Sequence, residues 1–308
     1  MQLSGNAPNT RSSKPAWAWI FLIGAFFLTV LVSVWLSSSS REPDPRNTPE
    51  NLLTNDPGMV VRNLPGLPPL KTELSPDELA FGERQVNQMV ADRPALARGV
   101  STNDALWQFC VRAFAGETIG EPILWKNAEP RGDEYQSDHQ GPYRGQRGYI
   151  RIRKNCAYGS ERGQPASCEQ LWSCAVFEIE NMRNSKAFDA LFKMALRGEV
   201  SREEWTRENS RLEYEALRRT AEDYRRLWRP LVLAGRVSST AHLWGANIPQ
   251  TYESWISRYR DPNSYPWDVY ARDYDRQIMP YVRSRMAFRL RAETNRSATS
   301  ISNRSPPN

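Results

Sequence analysis

The sequence contains few of the residues that metal and redox sites require. It has two histidines, His139 and His242, and four cysteines among 308 residues. No two cysteines stand in a C-x-x-C pair, which disfavours a zinc site built on thiolates. A G-x-S-x-G elbow, a phosphate-binding glycine loop and a dinucleotide fingerprint are also missing from the sequence. We therefore predict no cofactor, and the common serine-hydrolase and nucleotide-binding classes are disfavoured.

Long apolar runs are also rare, and the most prominent one bears on where the protein resides. Residues 16–36 read AWAWIFLIGAFFLTVLVSVWL, with no charged residue in 21 positions. A helix rises ~1.5 Å per residue, so this run matches the ~30 Å hydrocarbon core of a bilayer. The run is longer than the apolar region of a signal peptide, and no A-x-A-like site follows it. We therefore expect an uncleaved single-pass transmembrane helix that contacts the lipid bilayer.

The charges beside this run leave its orientation nearly balanced. Arg11 and Lys14 precede it, and Arg41 and Arg46 follow it. A short flank, residues 1–15, before a long body is typical of a signal anchor. We therefore expect a cytoplasmic flank and an extracytoplasmic body, periplasmic or extracellular.

Composition divides the remaining chain into three segments. Residues 37–72 are rich in proline, serine and asparagine with little apolar periodicity, which predicts an extended stalk. A helix should begin at residues 75–78, Ser-Pro-Asp-Glu, which combine an N-cap, a proline at the first helical position and early acids. The soluble domain is predicted over residues 73–292. The tail, residues 293–308, is predicted to be disordered.

The predicted domain is mainly α with a small β-hairpin, an α+β fold. Pro122–Trp125 and Gly148–Arg153 are the strand candidates, and the second alternates between polar and apolar residues. Residues 127–146 between them are polar and glycine-rich, which predicts a surface loop with His139 exposed to solvent. Apolar periodicity and helix-breaking residues predict the helices at about 75–91, 101–115, 166–184, 186–196, 201–229, 237–259 and 266–291.

Charge and aromatic content bear on the partners of this domain. The formal net charge is +6, and no basic run interleaved with aromatic residues indicates base stacking, so we expect no nucleic acid. Residues 244–281 contain nine tryptophans and tyrosines, with helical spacing in two sets. This pattern is typical of a helical core. The alternative is a surface for a protein partner or a glycan, because tryptophan and tyrosine are enriched at binding hot spots.

The four cysteines all lie in the predicted extracytoplasmic body, where disulfides can form. Cys168 and Cys174 are six residues apart on one predicted helix and point to different faces, so they should not pair. The candidate disulfides are Cys156–Cys168 and Cys110–Cys174. The alternative is that the cysteines are buried free thiols.

The predicted helix over residues 168–184, CEQLWSCAVFEIENMRN, is the main candidate for a chemical role. At about 100° per residue, its apolar side chains share one face. Glu178 falls near the edge of that inward face, whereas Glu180 falls opposite, in water. An inward carboxylate is costly unless it is paired, protonated or bound to a ligand. The inward position of Glu178 therefore requires an explanation.

The order of a strand (GYIRIR), a loop and an apolar helix with a central glutamate resembles the zincin metallopeptidases. In that family the helix carries H-E-x-x-H, whose two histidines bind zinc and whose glutamate is the general base. Aligned with that pattern, the helix of this chain reads Phe177-Glu178-Ile179-Glu180-Asn181. The glutamate matches, and both histidines are replaced.

The gluzincin branch of this family supplies a glutamate from a later helix as the third zinc ligand. The resemblance implies Glu213, in RLEYEALRRTAEDY, which lies on the predicted inward stripe, whereas Glu215 points outward. Phenylalanine has no lone pair to offer, and a lone asparagine oxygen is a poor zinc ligand. The resemblance thus implies a gluzincin-like scaffold that holds no metal, with Glu178 as the catalytic candidate and Asn181 and Glu213 as binding candidates.

Three interpretations of this helix stay open. Glu178 can pair with an arginine in an ordinary bundle, lie in a metal-free zincin-like scaffold, or serve a hydrolase with a non-standard site. We expect a membrane-anchored extracytoplasmic protein that is a non-enzymatic binding or scaffolding module, with a membrane-anchored hydrolase as the alternative. Convergence of Glu178, Asn181 and Glu213 on a cleft reached by solvent would favour the hydrolase.

Overall fold

The computed structural model of the chain describes residues 64–132, 135–259, 265–285 and 287–288. The predicted N-terminal flank, membrane anchor and C-terminal tail, together with most of the stalk, lie outside these residues. Within the described ranges, no helix has both the length and the apolar composition that a membrane crossing requires. This part of the chain is mainly helical with a small three-stranded sheet, which confirms the α+β class.

The first helix begins where the sequence predicts it. Helix α1 spans Pro76–Asp92, and its N-cap Ser75 forms a capping box with Glu78. Just upstream, the Lys71 side chain pairs with Glu78, and the Lys71 N–H donates to the carbonyl oxygen of Glu117 at 2.8 Å. The last residues of the predicted stalk are therefore held against the domain.

Helix α2, Ala105–Phe114, packs directly against α1. Gly82 permits this close approach, because a Cβ at this position would lie 2.1 Å from the carbonyl oxygen of Val111. A 3-10 turn at Pro94–Ala97 reverses the chain between the two helices.

The sheet consists of β1 (Leu124–Trp125), β2 (Ser137–Gln140) and β3 (Tyr149–Ile152), in the spatial order β1-β3-β2. β1 pairs with β3 in parallel, whereas β2 pairs with β3 antiparallel. The two predicted strands are thus present in shorter form but do not make a hairpin with each other. The hairpin is formed by β2 and β3.

Strand β2 corrects the prediction that residues 127–146 form only a surface loop. Its sequence, Ser-Asp-His-Gln, has no apolar alternation, so the local pattern carries no strand signal. The strand exists because its backbone pairs with β3, with His139 opposite Ile150.

Helix α3, Cys168–Met182, is central in the fold, since 12 of its 15 residues are buried. Helix α4, Ser185–Arg197, ends at Gly198, whose φ of +77° favours glycine. Helix α5, Arg202–Asp223, begins at a second capping box on Ser201. The sheet packs against α3, and so does α5.

Two π-helical turns, Tyr224–Trp228 and Tyr274–Ile278, each precede a proline by the same spacing, at Pro230 and Pro280. Proline lacks an N–H, and its ring clashes with the carbonyl four residues earlier. A wider π turn accommodates this defect and lets the helix continue. The prediction that this helix ends at residue 229 is therefore wrong, because α6 continues it through Pro230 over Arg229–Leu233.

Residues 237–259 are more broken than their pattern predicts, whereas residues 267–285 are helical, as predicted. The expected continuous helix over 237–259 is interrupted at Gly245, whose φ of +66° ends the first turn. The elements of the C-terminal region are a 3-10 turn at Ala241–Trp244, helix α7 at Tyr252–Ile256, a 3-10 turn at Ser257–Tyr259 and helix α8 at Trp267–Asp273.

Two apolar clusters form the core of the described domain. The larger one surrounds α3 and contains Trp172, Trp228 and Trp244, which are fully buried. The smaller one lies between α4, α5 and the second π turn, and includes Ile278. Leu64 packs against this second cluster, so apolar contact extends into the segment predicted to be stalk. Much of the tryptophan in this chain therefore serves core packing.

We predict that Gly82→Ala destabilises the protein, although this change in a helix interior normally stabilises by about 1 kcal/mol. The new Cβ would clash with the Val111 carbonyl and also lie 3.1 Å from the Cβ of Ala115, which forces α1 and α2 apart. Overpacking of this kind costs about 1–3 kcal/mol, measured by urea unfolding. Gln88→Ala, exposed on the same helix, is the control. An unchanged or higher unfolding midpoint for Gly82→Ala would contradict the close packing.

Candidate functional site

Helix α3 carries three buried carboxylate side chains, Glu169, Glu178 and Glu180, each at most 6 % exposed. Burial of a carboxylate is tolerated only when hydrogen bonds or opposite charges compensate for lost water. Each of the three is satisfied by a different part of the fold. The partners of each carboxylate therefore show whether its role is structural or chemical.

Glu178 lies against strand β2. Ser137 Oγ donates to its Oε1 at 2.6 Å, and His139 Nδ1 lies 2.7 Å from its Oε2. The prediction that His139 is exposed is wrong, because its side chain is only 15 % exposed. Alternation along β2 turns Ser137 and His139 toward α3, whereas a loop would have left them in water. The interpretation in which Glu178 pairs with an arginine is not the arrangement observed.

The contact with Glu178 orients the His139 ring. Phe188 packs beside it, with ring centroids 6.3 Å apart. Because Nδ1 faces the carboxylate, Nε2 is the ring atom that could accept a proton or bind a metal. A carboxylate–imidazole pair of this kind is compatible with either a structural or an acid–base role.

Glu213 of α5 is buried, as the sequence predicts, and accepts hydrogen bonds from the hydroxyl groups of Tyr265 and Tyr270. Burial raises the pKa of Glu213 to about 7, and the tyrosine hydrogen bonds oppose this shift. The nearby Glu178 raises the pKa further and His139 lowers it. The structure therefore brings the two predicted glutamates into one electrostatic neighbourhood.

Asn181 follows Glu178 by one turn and is 7 % exposed. Its Oδ1 has no hydrogen-bond partner within the described part of the chain. In the same ranges, no group of three or more histidine, cysteine, aspartate or glutamate side chains is arranged to hold a metal ion.

Glu180 was predicted to face water, and this prediction is wrong. It is 3 % exposed and forms ion pairs with Arg219 Nε at 2.6 Å and Arg183 Nη1 at 2.9 Å. The reason is that α3 is covered by the sheet on one side and by α5 on another, so its polar face also becomes interior. Helical periodicity in the sequence identifies the apolar face of α3. It does not show that another helix, α5, covers the polar face as well.

Glu169, in the first turn of α3, was not singled out by the sequence. Its carboxylate accepts hydrogen bonds from the N–H and hydroxyl of Thr240, from Ser239 Oγ and from Trp244 Nε1. These contacts fasten the segment before the Ala241–Trp244 turn to the start of α3. A glutamate in the first turn of a helix is also favoured by the helix dipole.

The four cysteines are free thiols, and neither candidate disulfide is formed. Cys156 Sγ lies 3.2 Å from Gln170 Oε1, whereas Cys168 Sγ lies 3.1 Å from a backbone carbonyl oxygen on another segment. The two thiols of the first candidate pair therefore face different groups. Burial raises the pKa of Cys174 to about 12 and that of Cys168 to about 11, so neither is a reactive thiolate.

Two pockets lie on the surface of the described residues, and neither is lined by Glu178, His139 or Glu213. One has a volume of about 210 Å³ and lies over the sheet, and the other has about 330 Å³ and lies by residues 153–157. The buried carboxylate cluster is thus separate from both openings.

We predict that the stability of Glu213→Gln relative to wild type increases with pH. In the folded protein the pKa of Glu213 is about 7 rather than 4.5, so the folded state binds more protons between these values and wild type loses stability as pH rises. The neutral amide of the variant avoids this loss. The free energy of unfolding of Glu213→Gln relative to wild type should therefore rise by roughly 3 kcal/mol across this pH window. Urea unfolding on both sides of this pH window measures it, with exposed Glu222→Gln as the control. A difference that does not vary with pH would contradict the assignment.

Comparison of the chain with protein-family models, with curated proteins and with solved structures gave no match. The zincin resemblance therefore has no support beyond the residues that suggested it. Functional inference depends on the geometry of the chain itself.

Proposed function

We propose that this chain is a membrane-anchored extracytoplasmic binding or scaffolding module without hydrolytic activity. The observation that carries the proposal is that Glu178 and Glu213 are closed within the domain. Glu178 is 3 % and Glu213 is 7 % exposed, and each has hydrogen-bonding partners from the chain. A catalytic carboxylate has to reach its substrate through a cleft.

The contacts of Glu178 are sufficient to account for its burial. Ser137 and His139 supply the hydrogen bonds that the carboxylate would otherwise obtain from water. The same contacts fasten the sheet to α3. In this proposal the cluster is structural, and recognition takes place on the outer surface.

The membrane part of the proposal depends on the apolar run at residues 16–36. The proline-rich segment after it would hold the domain away from the bilayer surface. Such an arrangement suits a module that captures a partner outside the membrane.

A membrane-anchored hydrolase is the second candidate, and specific observations favour it. The pKa of Glu213 lies near 7, a value suited to proton transfer at neutral pH, and the His139–Glu178 pair lies nearby. The unpartnered Oδ1 of Asn181 could hold a water molecule or a substrate group. This candidate requires an opening to the cluster that neither surface pocket supplies.

We predict that the full-length chain, purified in detergent, contains no stoichiometric zinc and releases no peptides from denatured casein. Metal content is measured by mass spectrometry and cleavage by the appearance of new amino termini. Glu178→Gln and the matched surface variant Glu222→Gln should both leave these background values unchanged. Casein cleavage that only Glu178→Gln abolishes would establish the hydrolase instead, and one zinc per chain would contradict a metal-free scaffold.

The location is tested separately in cells that express the chain. We expect the protein to stay in the membrane pellet after carbonate extraction, because a spanning helix resists removal at high pH. Protease added outside intact cells, or spheroplasts if an outer membrane is present, should digest the domain. Recovery in the carbonate wash, or complete protection from protease, would contradict the anchored extracytoplasmic arrangement.

A further inference from the structure

The pocket of about 210 Å³ is lined by residues of the sheet and of the segments that follow β1 and β2. Its lining includes side chains from all three strands, among them Lys126, which follows β1, and Gln140 and Tyr149 of β2 and β3. Pairing places Gln140 directly opposite Tyr149, whereas the neighbouring His139 points to the buried face. The pocket is therefore a feature distinct from the Glu178 cluster.

The pocket carries positive charge that no described carboxylate neutralises. Lys126 and Arg147 are among its lining residues, which include no carboxylate. Within the described residues, neither cation takes part in an ion pair. Arginines nearby on the same sheet behave differently, since Arg151 pairs with Asp138 and Arg153 with Glu129.

Arg84 adds one further cation beside Arg147. Arg84 of α1 and Arg147 both lie over the ring of Phe81, with guanidinium carbons 5.9 and 4.8 Å from its centroid. Lys126 lies 3.6 Å above the centroid of Tyr149. Cations gathered on aromatic rings without an acidic partner form a surface that favours an anionic ligand.

The turn at the pocket wall has an unusual conformation. Arg144 has a φ of +48°, the only positive value for a non-glycine residue in the described ranges, and Gly145 follows at +78°. A tight turn with two positive φ values normally selects asparagine and glycine. The arginine is kept at a strained position beside the half-exposed Tyr143, which is a pattern found at binding sites.

The uncharged groups of the pocket are suited to hydroxyl groups of a ligand. Gln140 Oε1 accepts hydrogen bonds from Tyr149 and Arg131, which leaves its N–H groups as the donors it can offer. Gln146 adds a second amide to the lining. Tyr143 adds a half-exposed ring, and a sugar can stack on the face that the Arg144 guanidinium does not cover. Because the pocket lies on the face of the sheet, the strand backbone cannot pair with a peptide there, as it could at an edge.

We propose that this pocket binds a carboxylate-bearing sugar unit of an acidic polysaccharide. Lys126 and Arg147 contact the carboxylate, the two glutamines contact hydroxyl groups, and Tyr143 stacks on the sugar ring. This inference rests on the proposed function, which exposes the domain to the polysaccharides outside the membrane.

The test is isothermal titration calorimetry of the full-length chain in detergent with a galacturonic acid hexamer. We expect binding that weakens as salt is raised, and no binding of a neutral maltohexaose. The double variant Lys126→Gln/Arg147→Gln should bind the hexamer at least tenfold more weakly, because charge-assisted hydrogen bonds are lost. Arg225→Gln/Arg229→Gln removes the same charge from exposed sites that do not line the pocket and should bind like wild type. Melting temperatures establish that both variants are folded.

Any other result would contradict the proposed binding site. Equal affinity in the Lys126→Gln/Arg147→Gln variant, or equal weakening in the control variant, would show that the pocket is not the binding site. Binding of a hexaglutamate peptide as tightly as the sugar would assign the surface to acidic peptides instead. Failure of the proposed function gives a different result. If the chain shortens the hexamer, which is measured as new reducing ends, it is an enzyme, whether or not binding follows the prediction.

Discussion

The buried carboxylates on α3 all require hydrogen-bond or ion-pair partners, and the rest of this structure depends on that requirement. Each one would cost several kcal/mol if it were left without partners. Glu169 accepts hydrogen bonds from the segment around Thr240, and Glu178 accepts one from strand β2. Glu180 forms an ion pair with Arg219 of α5. The sheet, the C-terminal turn and the long helix are therefore positioned around α3 by polar contacts as well as by the apolar core.

The sheet connects this interior network to the outer surface. Along β2, Ser137 and His139 face α3, whereas Asp138 and Gln140 face outward. The same strand thus holds a buried carboxylate on one side and lines a basic pocket on the other. This division explains how a domain can keep a polar cluster in its core and still perform recognition on its surface, as the proposed function requires.

Local signals in the sequence predicted the helices before residue 229 well. The capping boxes at Ser75 and Ser201 and the left-handed Gly198 mark helix ends through residues close in the chain. The inward position of Glu178 followed from helical periodicity. Strand β2 could not be predicted, because its pairing depends on backbone partners and not on an apolar pattern. The π turn before Pro230 was missed for a related reason, since proline is read locally as a helix stop.

The sequence by itself determined the helix-rich class, the start of the first helix and the burial of Glu178 and Glu213. These features depend on spacing within one helical turn or one helix, which a linear pattern records. Only the tertiary structure decided that Ser137, 41 residues from Glu178 in the chain, becomes its hydrogen-bond donor. It also decided that Glu180 lies inside and that the cations over the sheet share one pocket. Contacts between distant segments depend on how whole elements pack, and no local spacing encodes that packing.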